Sequence, residues 1–192
     1  MMKYALIKTM VAILVLSLTA CASKGLVKPQ DEKYRGLPYL APTTEIPATG
    51  VKRISARELK NRPSTSKRTV LIDVYGAIFR EETLDFDGAW LVSTPRKNLP
   101  TSVWLPNVGK QKLNVVVEQY YRQQLKELTA NDTNKVIVIY CVEDCWMAWN
   151  AAKRAKEWGY NNVWWFREGV DGWLDNGWQL QNSVPINLPV ND

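Results

Sequence analysis

An α/β fold, with a central parallel sheet and helices on both faces, is what the sequence predicts, and three observations carry it. Two five-residue runs, 70–74 (VLIDV) and 136–140 (VIVIY), are almost continuously apolar, as strands buried on both faces are. Stretches of helical period follow at 113–128 and 146–158. Strands that alternate with helices form parallel sheets, because each crossover lays its helix on a sheet face. In such sheets the chemistry gathers beyond the carboxyl ends of the strands.

The elements can be justified in order. Ser55-Ala56-Arg57-Glu58 is a capping box opening a short helix that runs through Leu59. The first buried strand covers 70–74, with Asp73 near its end as a structural hydrogen-bonding residue. Residues 76–101 lack a clear period and read as irregular. Asp85 and Asp87 there lack the carboxylate ladder of a calcium loop and are better explained as turn residues. A short strand is expected at 102–105, then a turn at Pro106-Asn107 and Gly109, then the helix 113–128. The second buried strand, 136–140, delivers Cys141 at its carboxyl end. Helix 146–158 carries Ala148, Ala151, Ala152 and Ala155 on one face and stops at Gly159. A further strand at 163–166 precedes a turn or short helix at 169–173, where Asp171 would brace the final turn. The chain has nine tryptophans. Most read as core, since large aromatics dominate buried area; Trp146 stands apart because it follows the second cysteine of the region.

The N-terminus reads as a targeting segment. Lys3 and Lys8 precede a short apolar stretch, then Thr19-Ala20 and Cys21, which is a secretory signal too short to span a bilayer. Leu18-Thr19-Ala20-Cys21 also resembles a bacterial lipobox, so residues 1–20 are expected as a lipoprotein signal peptide and Cys21 as the lipidation site. Acyl chains bury about 0.8 kcal/mol per CH₂, so a multiply acylated Cys21 would hold the protein on a membrane. Ala22 follows it, and in proteobacterial lipoproteins that favours the periplasmic side of the outer membrane. Residues 21–50, with Pro29, Pro38, Pro42 and Pro47, read as a lipid-anchored tether on which Tyr34 and Tyr39 dock against the domain. Residues 182–192 read as a C-terminal tail.

The formal charge of +6 falls to +4 once the signal takes Lys3 and Lys8 with it. The basic residues are scattered, so no nucleic-acid partner is expected. The chain contains no histidine, which excludes histidine acid/base catalysis, a Cys-His dyad and C-x-x-C-H haem attachment together. No cofactor is called for.

Cys141 and Cys145 are the only cysteines besides Cys21. Four positions apart across a tight turn into a helix, they lie within reach of a disulfide, and an exported address permits one. Three readings stay open. Cys141 attacks and Cys145 resolves, or Cys145 condenses with a persulfide or sulfenate on Cys141; the pair is a fixed bridge in an inactive binding module; or the reduced pair, with Met147, handles copper. The last is short of ligands without histidine, and no metal is assigned.

Residues 50–181 resemble a rhodanese-like domain through the entry helix ISARELK, the strand VLIDV, the strand-to-cysteine turn VIVIYC and the ending GYNNVWWFREGVDGW. A closer similarity is to the PQQ-dependent-catabolism-associated CXXCW motif family of bacterial exported proteins. It is carried by SVWLPNVG (102–109), YCVEDCWMAWNAAKRA (140–155) and EGVDGW (168–173). The family name counts two residues between the cysteines; this chain has three, Val142, Glu143 and Asp144. The resemblance implies a domain over 51–181 and a six-residue active loop, Cys141 to Trp146, whose backbone amides converge on a thiolate or persulfide. It also implies partners among periplasmic quinoprotein dehydrogenases or their associated redox proteins. Thiosulfate enzymes of the rhodanese type place a cation in this loop, and the related phosphatases need a longer loop ending in arginine. Glu143, Asp144 and Trp146 stand here instead, so ordinary thiosulfate transfer and phosphate hydrolysis are disfavoured. Arg154 and Arg167 are the cations within reach to neutralise the two acids.

Overall fold

The computed structural model describes residues 33–62, 69–80 and 90–188. The central sheet has five strands, all parallel: β1 (Lys52–Arg53), β2 (Thr69–Asp73), β6 (Val103–Trp104), β7 (Val136–Tyr140) and β8 (Val163–Phe166), in the order β1-β8-β7-β2-β6. Two small antiparallel pairs flank it. β3 (Ile78–Phe79) pairs with β4 (Trp90–Leu91), and β5 (Arg96–Asn98) pairs with β9 (Gln181–Ser183). The helices are α1 (Ala56–Lys60), α2 (Val115–Thr129), α3 (Trp146–Glu157) and α4 (Gly169–Asp175).

Side-chain alternation along β7 divides the core in two. Ile137 and Ile139 join the cluster that contains Val117, Tyr121 and Leu125 of α2 and Ala148, Ala151 and Ala155 of α3. Val138 and Tyr140 point the other way, into a cluster with Leu59 of α1 and Val170 and Trp173 of α4. Period 2 in the strand thus sends successive residues to opposite layers, and both layers exclude water. This is why VIVIY is apolar throughout.

The capping box at Ser55 is present: Ser55 Oγ accepts from the Glu58 amide while the Glu58 carboxylate accepts from the Ser55 amide. The long helix begins at Val115 rather than 113, because Asn114 takes the N-cap and its Oδ1 accepts from the Val117 amide at 2.8 Å. Gly159 follows the α3 C-cap at φ +93°, a left-handed position that suits glycine.

The region 76–101 differs from the irregular stretch expected, since it contributes β3, β4 and β5. Those strands have two or three residues each, too few to show a period. β9 is all polar, and the chain continues past it against the core: the Ile186 amide donates to the Trp104 carbonyl, and the Ile186 carbonyl accepts from Trp90 Nε1 and Tyr120 Oη. Asp73 is fully buried and paired with Arg96 Nε at 2.6 Å, a structural role as expected; burial pushes its carboxyl up against the pull of that guanidinium. Asp85, Asp87, Cys21 and the signal segment lie outside the described residues. Among those described, no helix is long and apolar enough to cross a membrane.

Candidate functional site

Strand β7 ends at Tyr140 and delivers Cys141 to the carboxyl edge of the sheet; four residues on, Cys145 is the N-cap of α3. The two are joined in a disulfide, with their Cα atoms 6.1 Å apart, within the range such a bond spans. The turn between them is made possible by Asp144 at φ +50°, a left-handed conformation that aspartate tolerates better than most residues.

Two of the sequence motifs close on this loop from the body of the domain. Gly169, at φ +53°, brings the start of α4 against the loop so closely that a Cβ there would collide with the Cys141 carbonyl. The Val170 amide donates to that carbonyl at 3.0 Å. Asp171 reaches further than its expected role in the final turn: its Oδ2 accepts from the Glu143 amide at 2.7 Å. From the other side Gly109 packs on α3, where a Cβ would collide with the Met147 carbonyl. Asn150 Nδ2 donates to the Gly109 carbonyl at 2.8 Å. SVWLPNVG, the cysteine motif and EGVDGW therefore meet around one loop, although up to 71 positions separate them.

A third wall comes from the residues read as tether. Residues 39–43 lie across the loop as an extended strap, with Leu40 paired antiparallel to Cys145. The Trp146 amide donates to the Tyr39 carbonyl at 2.8 Å, and the Ala41 amide to the Asp144 carbonyl at 2.9 Å. Thr43 donates both its amide (2.9 Å) and its hydroxyl (3.1 Å) to Asp144 Oδ1. Tyr34 and Tyr39 dock: Tyr34 Oη bonds Glu157, and Tyr39 Oη accepts from the Gln111 amide at 3.0 Å.

Arg167 is the cation that faces the acids. Its Nη2 lies 2.8 Å from Asp144 Oδ1, its Nη1 3.2 Å from Glu143 Oε1 and its Nε 3.4 Å from Glu45 Oε1. Arg154 points elsewhere, donating to the carbonyls of Val108, Lys110 and Gln111. The Thr43 amide, helped by the Thr43 hydroxyl and Arg167, holds the Asp144 carboxyl below its ordinary range despite partial burial.

Two features differ from the sequence reading. Cys141 lies at the carboxyl edge of the sheet, where the chemistry of such folds was expected to gather, yet Cys141 and Cys145 are 0% and 2% exposed, because the strap and α4 cover the loop. The loop amides were expected to converge on a sulfur anion. Instead the Glu143 amide donates to Asp171 and the Trp146 amide to Tyr39, so two donors of that cradle are already engaged. Trp146 itself is half-buried, with the Arg35 guanidinium 4.8 Å above its ring and Trp149 edge-on at 5.9 Å. Beside the loop lies a cavity of about 460 Å³ between β3, β4 and β5; among the loop residues, Val142 alone lines it. Among the described residues no group of three histidine, cysteine, aspartate or glutamate side chains is placed to hold a metal ion. Sequence reasoning missed Thr43, Glu45 and the Asp171–loop bond. Residues 39–45 carry no strand period, and the strap is held chiefly by backbone groups that any residue would supply.

The rhodanese-like domain family matches residues 55–176, and the chain belongs to that family. A comparison with curated proteins finds no match. Among solved structures, thiosulfate sulfurtransferase from Pseudomonas aeruginosa is similar at 16% identity and a TM-score of 0.47, covering 74% of this chain and 22% of its own. The 3-mercaptopyruvate sulfotransferase SseA from Escherichia coli is similar at 16% identity and a TM-score of 0.47, over 72% of this chain and 53% of its own. The polysulfide-sulfur transferase from Wolinella succinogenes is similar at 18% identity and a TM-score of 0.39, over 68% of this chain and 78% of its own.

Proposed function

We propose that Cys141 and Cys145 form a dithiol–disulfide centre. It sits in a lipid-anchored rhodanese-like protein on the periplasmic side of the outer membrane and serves as an accessory to PQQ-dependent alcohol oxidation. The observation that carries the chemistry is the disulfide itself, closed between a strand end and a helix N-cap in this fold. A cysteine at a helix N-terminus gains thiolate stabilisation from the helix dipole, so the reduced pair has a built-in nucleophile. The lipobox at Cys21 and the CXXCW-type motif support the address and the pathway. With Glu143 and Asp144 in the loop and two amides engaged, an anion such as thiosulfate meets a poor cradle. Turnover in a cyanide–thiosulfate assay is therefore expected to be far below that of a rhodanese with a cation in its loop.

Burial of both sulfurs favours a second reading, a fixed bridge in a non-catalytic binding module. The reduction potential separates the two. A redox centre is expected above the roughly −300 mV below which structural bridges in secreted proteins lie. A value in the structural range, with both reduced thiols alkylating slowly and equally, would select the binding module.

A further inference from the structure

The strap occupies its site the way a bound peptide would, and we propose that the groove it fills is a docking site for an extended polypeptide bearing a thiol. This rests on the dithiol–disulfide reading and names its class of substrate.

Three observations carry it. First, the strap is held chiefly by main-chain bonds: Tyr39 C=O accepts from the Trp146 amide, and the Ala41 amide donates to the Asp144 carbonyl. An antiparallel pairing of this kind accepts any extended segment, as strand addition does elsewhere. A hydroxyl-bearing residue three positions beyond the central one adds the Thr43-type contact to Asp144. Second, apart from Tyr39, which is half-buried against the core and bonded to the Gln111 amide, the strap invests little buried side chain between its anchors. Leu37 is 84% and Leu40 55% exposed, and Pro42 is exposed as well. The anchors lie outside the crossing: Arg35 exchanges two backbone bonds with the Asn150 amide at 2.9 and 2.8 Å, Trp149 Nε1 donates to the Ile46 carbonyl, and Ala48 is buried. Beyond Tyr39 the crossing segment can swing out while both ends stay fixed, since few buried apolar contacts oppose local opening there. Third, the register is chemically pointed. The residue at the centre of the crossing, Leu40, pairs with Cys145, and directly opposed residues of an antiparallel pair lie close enough for a disulfide.

A peptide cysteine docked at the Leu40 position meets Cys145. Its thiolate attacks Cys145 Sγ, the Cys141–Cys145 bond breaks, and Cys141 leaves as the thiolate. A second thiol of the same polypeptide then attacks the mixed disulfide and releases Cys145. The polypeptide dithiol is oxidised by two electrons to a disulfide, the protein disulfide is reduced to the dithiol, and the protons of the two polypeptide thiols end on Cys141 and Cys145 or in solvent. The register makes Cys145 the exchanging sulfur and reverses the order expected from the sequence, in which Cys141 attacks.

The test uses the full chain and two probes. A labelled ten-residue peptide with the sequence of residues 36–45, which has no cysteine, measures docking by fluorescence anisotropy. It is expected to bind the Ala41→Pro/Thr43→Val chain saturably and at least tenfold more tightly than the unaltered chain, whose groove is occupied. Binding to neither chain, or to both equally, overturns the inference. The second measurement needs no strap release: Leu40→Cys is introduced alone and its disulfides are mapped after oxidation. A bond from position 40 to Cys145 with Cys141 alkylated as the free thiol is expected. Retention of Cys141–Cys145 with position 40 alkylated, or a bond from position 40 to Cys141, overturns the register. Failure of redox turnover with docking and register intact would instead remove the dithiol–disulfide reading and leave the groove standing.

Discussion

Two of the three walls around the cysteine loop differ in construction. On one side, α4 approaches through glycine: Gly169 brings its backbone against Cys141, the Val170 amide bonds the Cys141 carbonyl, and Val170 and Trp173 are buried behind it. On the other side, the strap rests on hydrogen bonds from the half-buried Tyr39, Ala41 and Thr43, with Leu40 and Pro42 exposed between them. The first wall is continuous with the core and opens only if the core does. The second is secured at its ends and touches the core between them chiefly through the half-buried Tyr39 ring. Burial alone does not distinguish the two, because both exclude solvent from the sulfurs; what lies behind each wall does.

That contrast can be broken at several points, beginning where the effect is greatest. Gly169→Ala forces a Cβ into the Cys141 carbonyl at a left-handed φ, and is expected to cost on the order of 3 kcal/mol, read as a lowered urea midpoint. Reducing the disulfide lifts a cross-link over a short loop and should cost about 2 kcal/mol by the chain-entropy relation, measured by comparing melts of oxidised and reduced protein. Asp171→Ala removes the acceptor for the Glu143 amide and should cost about 1 kcal/mol, while the strap contacts stay as they are. Thr43→Val should leave the global melt almost unchanged and raise the rate at which a phosphine reduces the disulfide by several-fold. If Thr43→Val instead lowers the melt as much as Gly169→Ala, the two walls are not different in kind.

The smallest effect concerns pH. The Asp144 carboxyl is held below its ordinary value by Thr43 and Arg167, so its charge contributes at every pH above that ordinary value of about 3.9. The contribution is lost as pH falls through the depressed folded value. Glu45 and Glu143 share the Arg167 guanidinium with Asp144. As pH falls below about 3.9 the strap should loosen, seen as faster amide exchange at Ala41 and Trp146. In Asp144→Asn the same fall in pH should produce no strap-specific change.

Much of the frame was legible in the sequence, and the reason is burial on two sides. Strands β7 and β8 fall where their apolar runs predict, β2 is displaced by one residue, and α3 starts at Trp146 as its alanine face requires. β1, β3, β4, β5 and β9 were not legible, since two or three residues cannot display a period and β9 carries only polar side chains. At the site, the motif residues were visible but their contacts were not. Spacing allowed Arg154 or Arg167 to meet the loop acids, and only the fold separates Arg167, at the end of β8, from Arg154, turned beneath α3 toward Val108. The strap was least legible because main-chain hydrogen bonding leaves little trace in residue identity.

The anchors at Arg35 and Ala48 set a concentration. A segment fixed at both ends meets its groove at an effective concentration on the order of millimolar, wherever the protein is and however dilute. A free peptide of equal intrinsic affinity at micromolar levels would rarely displace it. A competitor that succeeds must either bind far better than the strap or be presented at comparable local concentration, as a segment of a partner already docked on the same surface would be. The strap thus acts as a threshold: it screens out transient thiols in solution and admits a polypeptide that has first been brought alongside.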